Sequence, residues 1–229
     1  MIDHTRDLAS VRQATDRLLT AAASWDNAAV AQPSRLPGWS RGHVLAHLAR
    51  NADALVNVLR GRPMYVSAEA RDADIARDAG RPLADQLADV RASAERFDAV
   101  GNEPADWDRT VELRNGVTDS AARIPFRRWV EVALHHVDLG VGYELEDLPE
   151  EFVQREIDFL TERFAGHGDV PATTVRDEGG REWSTGGGAQ GGPVTVSGPA
   201  PELLGWLAGR RDGSALKAEG GPLPQLPPL

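Results

Sequence analysis

From the N-terminus to about residue 165, apolar residues recur every three or four positions, the period of an amphipathic helix. Leu8, Val11, Ala14, Leu18 and Leu19 define a first helix over 3–24, with Asp3 or Thr5 to cap it. Gln32–Trp39 is rich in proline and reads as a loop. Ser40 is then placed as the N-cap of a helix reaching Gly61, with Val44, Leu45, Leu48, Ala52, Leu55, Val56 and Leu59 as its apolar face. Arg62–Ile75 begins as a loop with at most one helical turn. Pro82 opens a third helix, with Leu83, Leu87, Val90, Ala94 and Phe97 on one side. Residues 101–124 are polar and irregular, apart from a short strand at Arg109–Leu113. Pro125 opens a fourth long helix to about Gly142. Pro149 opens another, with Glu150 and Glu151 complementing its dipole and Phe152, Val153, Ile157, Leu160 and Phe164 inward.

Beyond Gly166 the pattern changes. Thr173–Glu178 and Arg181–Thr185 flank Gly179-Gly180 and read as a β-hairpin, and Pro193–Ser197 as a third strand. Between them, 186–192 is a flexible glycine-rich loop. Pro199–Arg210 suits a helix, and the proline-rich tail from Gly220 is extended. The expected fold class is α+β: an up-and-down helical domain over 1–165, then a small α+β domain over 166–229 that carries the tail.

The charge balance narrows the partners. With 35 acidic against 25 basic residues, a net charge of −10 repels phosphate backbones and anionic lipid. No nucleic-acid or membrane partner is expected. No apolar run reaches bilayer length, and MIDHTRDLAS lacks the regions of a secretory signal, so a cytoplasmic monomer is the expectation. There is no cysteine, which excludes disulfides, thiolate-held metals and a protein thiol nucleophile. Lys217 is the single lysine among the basic residues, which leaves no plausible Schiff base or P-loop.

Candidate chemistry gathers on two helices. Glu131, His135 and Asp138 stand at i, i+4 and i+7 and share a helix face. His43 and His47 stand at i, i+4 on the second helix. Facing helices of a bundle can close one divalent-metal site from such groups and leave a position for water or substrate. The spacing is equally that of a solvated Glu–His pair beside a hydrogen-bonded core histidine. Against that reading, four of the 6 histidines fall on these two otherwise apolar segments, where an unpaired imidazole is costly. His136 lies off the ligand face and reads as packing or surface; His4 and His167 read as surface.

Other motifs carry less. Gly38–Gly42 matches G-x-S-x-G as a string, but a proline-rich loop precedes it where a nucleophile elbow needs a strand, so Ser40 is read as a cap. The glycines of 186–192 do not lead from a strand into a helix as a dinucleotide fingerprint must. Trp183 and Trp206 are read as core.

The segments GWSRGHVLAHLARNAD, PMYVSAEAR, EVALHHVDLG, VTVSG and LAGR, in this order, resemble the mycothiol-dependent maleylpyruvate isomerases, a family of DinB-like metal-binding bundles. The resemblance implies a DinB-like four-helix bundle, zinc held by His47, Glu131 and His135, and a non-ligand role for His43. It implies that Arg210, in the late A-G-R motif, is needed for activity and lies across the site from the metal; Arg211 departs from the small residue expected beside it. It further implies conversion of maleylpyruvate to fumarylpyruvate with mycothiol as thiol cofactor, by thiolate addition, bond rotation and elimination. A chain without cysteine agrees with a borrowed thiol. The gentisate pathway of aromatic catabolism is the expected setting. Two alternatives stay open: a mycothiol S-transferase acting on other electrophiles, and a non-catalytic metal-binding protein.

Overall fold

In a computed structural model that describes residues 2–189 and 192–228, the chain divides into two units, 1–143 and 144–229. The first holds helices α1 (His4–Ala22), α2 (Asn27–Val30), α3 (Arg41–Leu59), α4 (Ala68–Asp78), α5 (Leu83–Gly101) and α6 (Ile124–Asp138), with a two-stranded ribbon of β1 (Thr110–Glu112) and β2 (Thr118–Ser120). Its bundle is built from α1, α3, α5 and α6, around a core that includes Leu18, Val44, Leu45, Leu48, Val90, Val132 and Leu139. α1 and α3 begin where a side chain supplies the missing acceptor. Asp3 takes the N–H of Arg6 at the start of α1, and Ser40 takes that of His43 at the start of α3.

The direction of the helices refines the alternation expected. Arg12 reaches Asp98 and Leu8 abuts Gly101, so α1 and α5 are antiparallel. Arg50 reaches Asp89 and Arg96 reaches Asp53, so α3 and α5 are parallel. Arg41 donates to the Leu139 carbonyl while His47 meets Glu131, so α3 and α6 are antiparallel. The order is therefore up, down, down, up. The cause is α4, where at most one turn was expected. Its Ser67 cap and the burial of Ile75 and Asp78 fix a full helix that runs back beside α3 and returns the chain to its starting end. Gly42 permits this contact, because a Cβ there would stand 2.1 Å from the Ala79 carbonyl oxygen.

The second unit contains α7 (Glu150–Phe164), β3 (Thr173–Asp177), β4 (Glu182–Thr185), β5 (Val194–Gly198), α8 (Ala200–Leu207) and β6 (Lys217–Glu219). The sheet order is β4-β3-β5-β6, with β3 and β5 parallel and the other pairs antiparallel. The boundary expected at 165 is corrected to 143/144. The apolar face of α7 packs on α8 and β4 of this unit, and Thr185 donates to the Thr161 carbonyl. The hairpin at Gly179-Gly180 is present, with Gly180 in the left-handed region at φ 83°. The loop expected over 186–192 falls partly outside the described residues, at 190 and 191. The tail folds back, and Trp206 Nε1 donates to the Pro224 carbonyl.

Candidate metal centre

α3 and α6 lie side by side because their apolar stripes share the bundle core, and their antiparallel run brings the second turn of one against the last turns of the other. His47, Glu131 and His135 meet there, with one ligand atom from each within 4.8 Å of the others. Glu131 Oε2 is 2.9 Å from His47 Nε2 and 3.3 Å from His135 Nε2. The imidazoles stand edge to face with centroids 4.6 Å apart. The histidine side chains are nearly covered at 7% and 11% exposure, whereas Glu131 is 33% exposed, so the group has one open side.

Asp138 completes the arrangement. It is fully buried, and its Oδ2 lies 2.8 Å from His135 Nδ1. A carboxylate there fixes the imidazole's orientation and leaves Nε2, which faces Glu131, available as a metal donor. On the other side, Arg71 Nη2 lies 3.3 Å from His47 Nδ1. The Arg71 guanidinium stands over the Tyr65 ring at 5.8 Å.

These contacts set the protonation states. Burial pushes the His47 pKa down to about 4, against the pull of the Glu131 carboxylate. Burial acts on His135 in the same sense, but its hydrogen bonds to Asp138 and Glu131 outweigh that and hold it above the ordinary histidine value. The two rings share Glu131; the extra carboxylate of Asp138 sets them apart. Burial would raise Glu131, yet hydrogen bonds from His135 and His47 hold it well below the usual carboxylate range. The Tyr65 hydroxyl is raised, first by burial and then by the charge of Glu131.

The residues fit a divalent ion. Two neutral imidazoles and a carboxylate suit zinc, and ligand bonds of about 2.0–2.2 Å in a tetrahedron put donor atoms about 3.3 Å apart, close to the separations present. His43 takes no part. Its Nδ1 accepts the Ser40 backbone N–H at 3.2 Å while Ser40 Oγ accepts the His43 N–H, which makes the pair a capping box. This places Ser40 as a cap. His136 is buried and stacks on Tyr143 at 4.1 Å, a packing role. Arg210 follows α8 in the second unit, where Nη1 donates to the Ala208 carbonyl. Arg211 is held by Glu146 and Glu202. Tyr65 and Arg128 near the group were not singled out from sequence, and the charges of Arg71–Arg77 read there as a solvated face, whereas Arg71 is largely covered and meets His47. Only tertiary structure puts them there, although Tyr65 and Arg71 sit in the PMYVSAEAR segment.

The likeness to known proteins covers both units. The family model for the mycothiol maleylpyruvate isomerase N-terminal domain matches residues 11–140, and that for the MDMPI C-terminal domain matches 147–228. The chain belongs to the mycothiol-dependent maleylpyruvate isomerase family. The crystal structure of the mycothiol-dependent maleylpyruvate isomerase superposes with a TM-score of 0.89 at 28% identity, covering 99% of this chain and 97% of that one. A histidine-to-alanine mutant of that isomerase gives the same TM-score at 27% identity and the same coverage. No curated protein sequence matches. The chain is thus an enzyme of an isomerase family, and none of its described helices is long and apolar enough to cross a membrane.

Proposed function

We propose that this enzyme converts maleylpyruvate to fumarylpyruvate with mycothiol, at a zinc ion held by His47, Glu131 and His135. The observation that carries the reading is the meeting of these three side chains, from two helices, in a chain of this family. When bound, the ion supplies a Lewis-acidic open position, and mycothiol supplies the thiol for conjugate addition, rotation about the resulting single bond and elimination. His47 and His135 are nearly covered and would hold the ion through Nε2, the atom each turns toward Glu131. Asp138 keeps the His135 proton on Nδ1, so Nε2 stays a donor of electrons. Glu131 remains ionised and contributes the negative charge of the ligand set. Its partly exposed side is where an exogenous ligand enters. Arg210 is proposed to bind a substrate carboxylate. Its place in the late A-G-R segment supports Arg210 over its neighbour Arg211.

The test is loss of maleylpyruvate followed spectrophotometrically with and without mycothiol, beside metal analysis. One divalent ion per chain, turnover only with the thiol, and loss of both metal and turnover in His47→Ala, Glu131→Ala and His135→Ala are expected. His43→Ala should keep its metal. Turnover without any thiol, or full zinc in His135→Ala, refutes the reading. Thiol consumption on other electrophiles, with maleylpyruvate untouched, marks an S-transferase instead.

A further inference from the structure

Arg128 is the largest of the fully buried side chains, at 0% exposure. It stands one turn before Glu131 on α6. Its Nη1 donates to Asn51 Oδ1 at 2.8 Å, and Asn51 is one turn beyond His47 on α3. The pair therefore repeats the His47–Glu131 contact one turn along the same seam. Among the described residues, its Nε and Nη2 are buried without a hydrogen-bond partner and no carboxylate forms an ion pair with it. Burial draws its pKa down to about 10, partly offset by Glu131, Tyr65 and Asp53, so it remains a cation at neutral pH.

Such a group is costly to leave as it stands. A buried charge without its hydrogen bonds destabilises the fold. Nε and Nη2 are moreover the two nitrogens of one guanidinium edge, whose N–H bonds point the same way. That edge matches the two oxygens of a carboxylate. Asn51 holds the opposite nitrogen, which orients the edge in advance. Tyr65, which interacts electrostatically with both Arg128 and Glu131, also lines a cavity of about 650 Å³ with Val58, Met64, Ser67 and Arg114. The guanidinium is one helical turn from Glu131 of the ligand group, on the seam that the two histidines share.

We propose that the Nε–Nη2 edge of Arg128 is a carboxylate-binding subsite of this centre, one that receives a carboxylate of a small organic acid whose other end reaches the ligand group. The inference rests on the isomerase reading for the substrate's identity, a dianion, while the subsite itself is tested without turnover. The probe is maleate, an unreactive cis-dicarboxylate, titrated into the zinc-loaded enzyme. Calorimetry should detect binding. The Nε–H resonance of Arg128, assigned by its loss in Arg128→Lys, should move on titration of the wild-type enzyme. Arg128→Met, close in length and uncharged, should bind maleate at least about fiftyfold more weakly while keeping its zinc. Arg128→Lys should recover part of the affinity. In turnover, Arg128→Met should raise KM more than it lowers kcat, which a purely structural role would not do.

No maleate binding to the wild type, an unmoved Arg128 resonance at saturation, or unchanged affinity in zinc-loaded Arg128→Met each overturns the proposal. Where Arg128→Met fails to fold, the wild-type resonance decides alone. Maleate binding through Arg128 without isomerase turnover leaves the subsite standing and removes the isomerase reading; turnover with an unmoved Arg128 resonance does the opposite.

Discussion

Asp138→Asn is the most informative single change, because it removes a charge and keeps the shape. The carboxylate lies 2.8 Å from His135 Nδ1. Adding the width of the ring and a metal–nitrogen bond, each about 2 Å, puts it about 7 Å from an ion on Nε2. At an effective dielectric constant of about 20, one negative and two positive charges at that distance attract by about 5 kcal/mol. Part of this is already present without metal, since Asp138 faces a His135 whose proton affinity it has raised. Exchange of that single charge for a double one leaves a net gain near half, about 2 kcal/mol, or roughly thirtyfold in affinity. Effects of ten- to a hundredfold are usual for such partners of a ligating histidine. Zinc dissociation constants from competition with a chromophoric chelator at pH 7.5 should therefore rise about thirtyfold in Asp138→Asn. Asp138→Ala, which also removes the acceptor, should lose about ten times more. Circular dichroism of the metal-free proteins separates folding from affinity. Equal affinities in the wild type and Asp138→Asn, within a factor of two, would refute the reasoning.

The remaining expectations concern protons, the helix cap and the C-terminal arginines. Since His47 is depressed to about 4 and His135 is raised, acid should displace zinc through His135 first, and Asp138→Asn, which weakens the hold on the ion more than that on the proton, should move that midpoint up. In the metal-free protein, the stability from His135 is present below pH 6.5 and lost as pH rises through its folded pKa; that from His47 is present above 6.5 and lost as pH falls through about 4. Denaturant unfolding across pH 3–9 measures both. Ser40→Ala should cost about 1 kcal/mol of stability through the lost cap and leave zinc content and turnover number unchanged; loss of turnover in a folded, zinc-loaded protein would reinstate a nucleophile. Arg210→Ala should lower the rate about a hundredfold with zinc retained. Arg211→Ala should instead lower stability, because its two glutamate partners are left behind; the reverse pattern would exchange the two roles.

Much of the centre was legible because its information is local. The caps and apolar periods of α3 and α6 fix which residues share a face, and Glu131, His135 and Asp138 could be grouped from spacing alone. Their meeting with His47 was inferable from facing helices, and the family segments named it. What stayed hidden is set by partners distant in the chain. The apolar stripe of α7 says that it must be covered, not which unit covers it. α4 is too polar for its periodicity to show, and only Ile75 and Asp78 of it are buried. Without α4, the parallel run of α3 and α5 is invisible. Arg128 shows the same limit: a charged residue inside an apolar helix reads as an exception until Asn51 and the unpartnered edge are seen together.

The return of the chain along α4 has a consequence for rearranging the gene. An alternating bundle of four brings its two ends to the same pole, where a tight turn can join them. Here α1 and α6 are neighbours that run the same way, and Arg17, late in α1, meets Tyr143, just past α6. The ends of the first unit therefore lie at opposite poles, separated by the 19 residues of α1, about 28 Å. A circular permutant of this unit has to bridge that span outside the bundle. With extended chain advancing about 3.3 Å per residue, it needs a linker of about nine residues or more; a shorter one would have to reverse α1 and break the contact of Leu8 with Gly101.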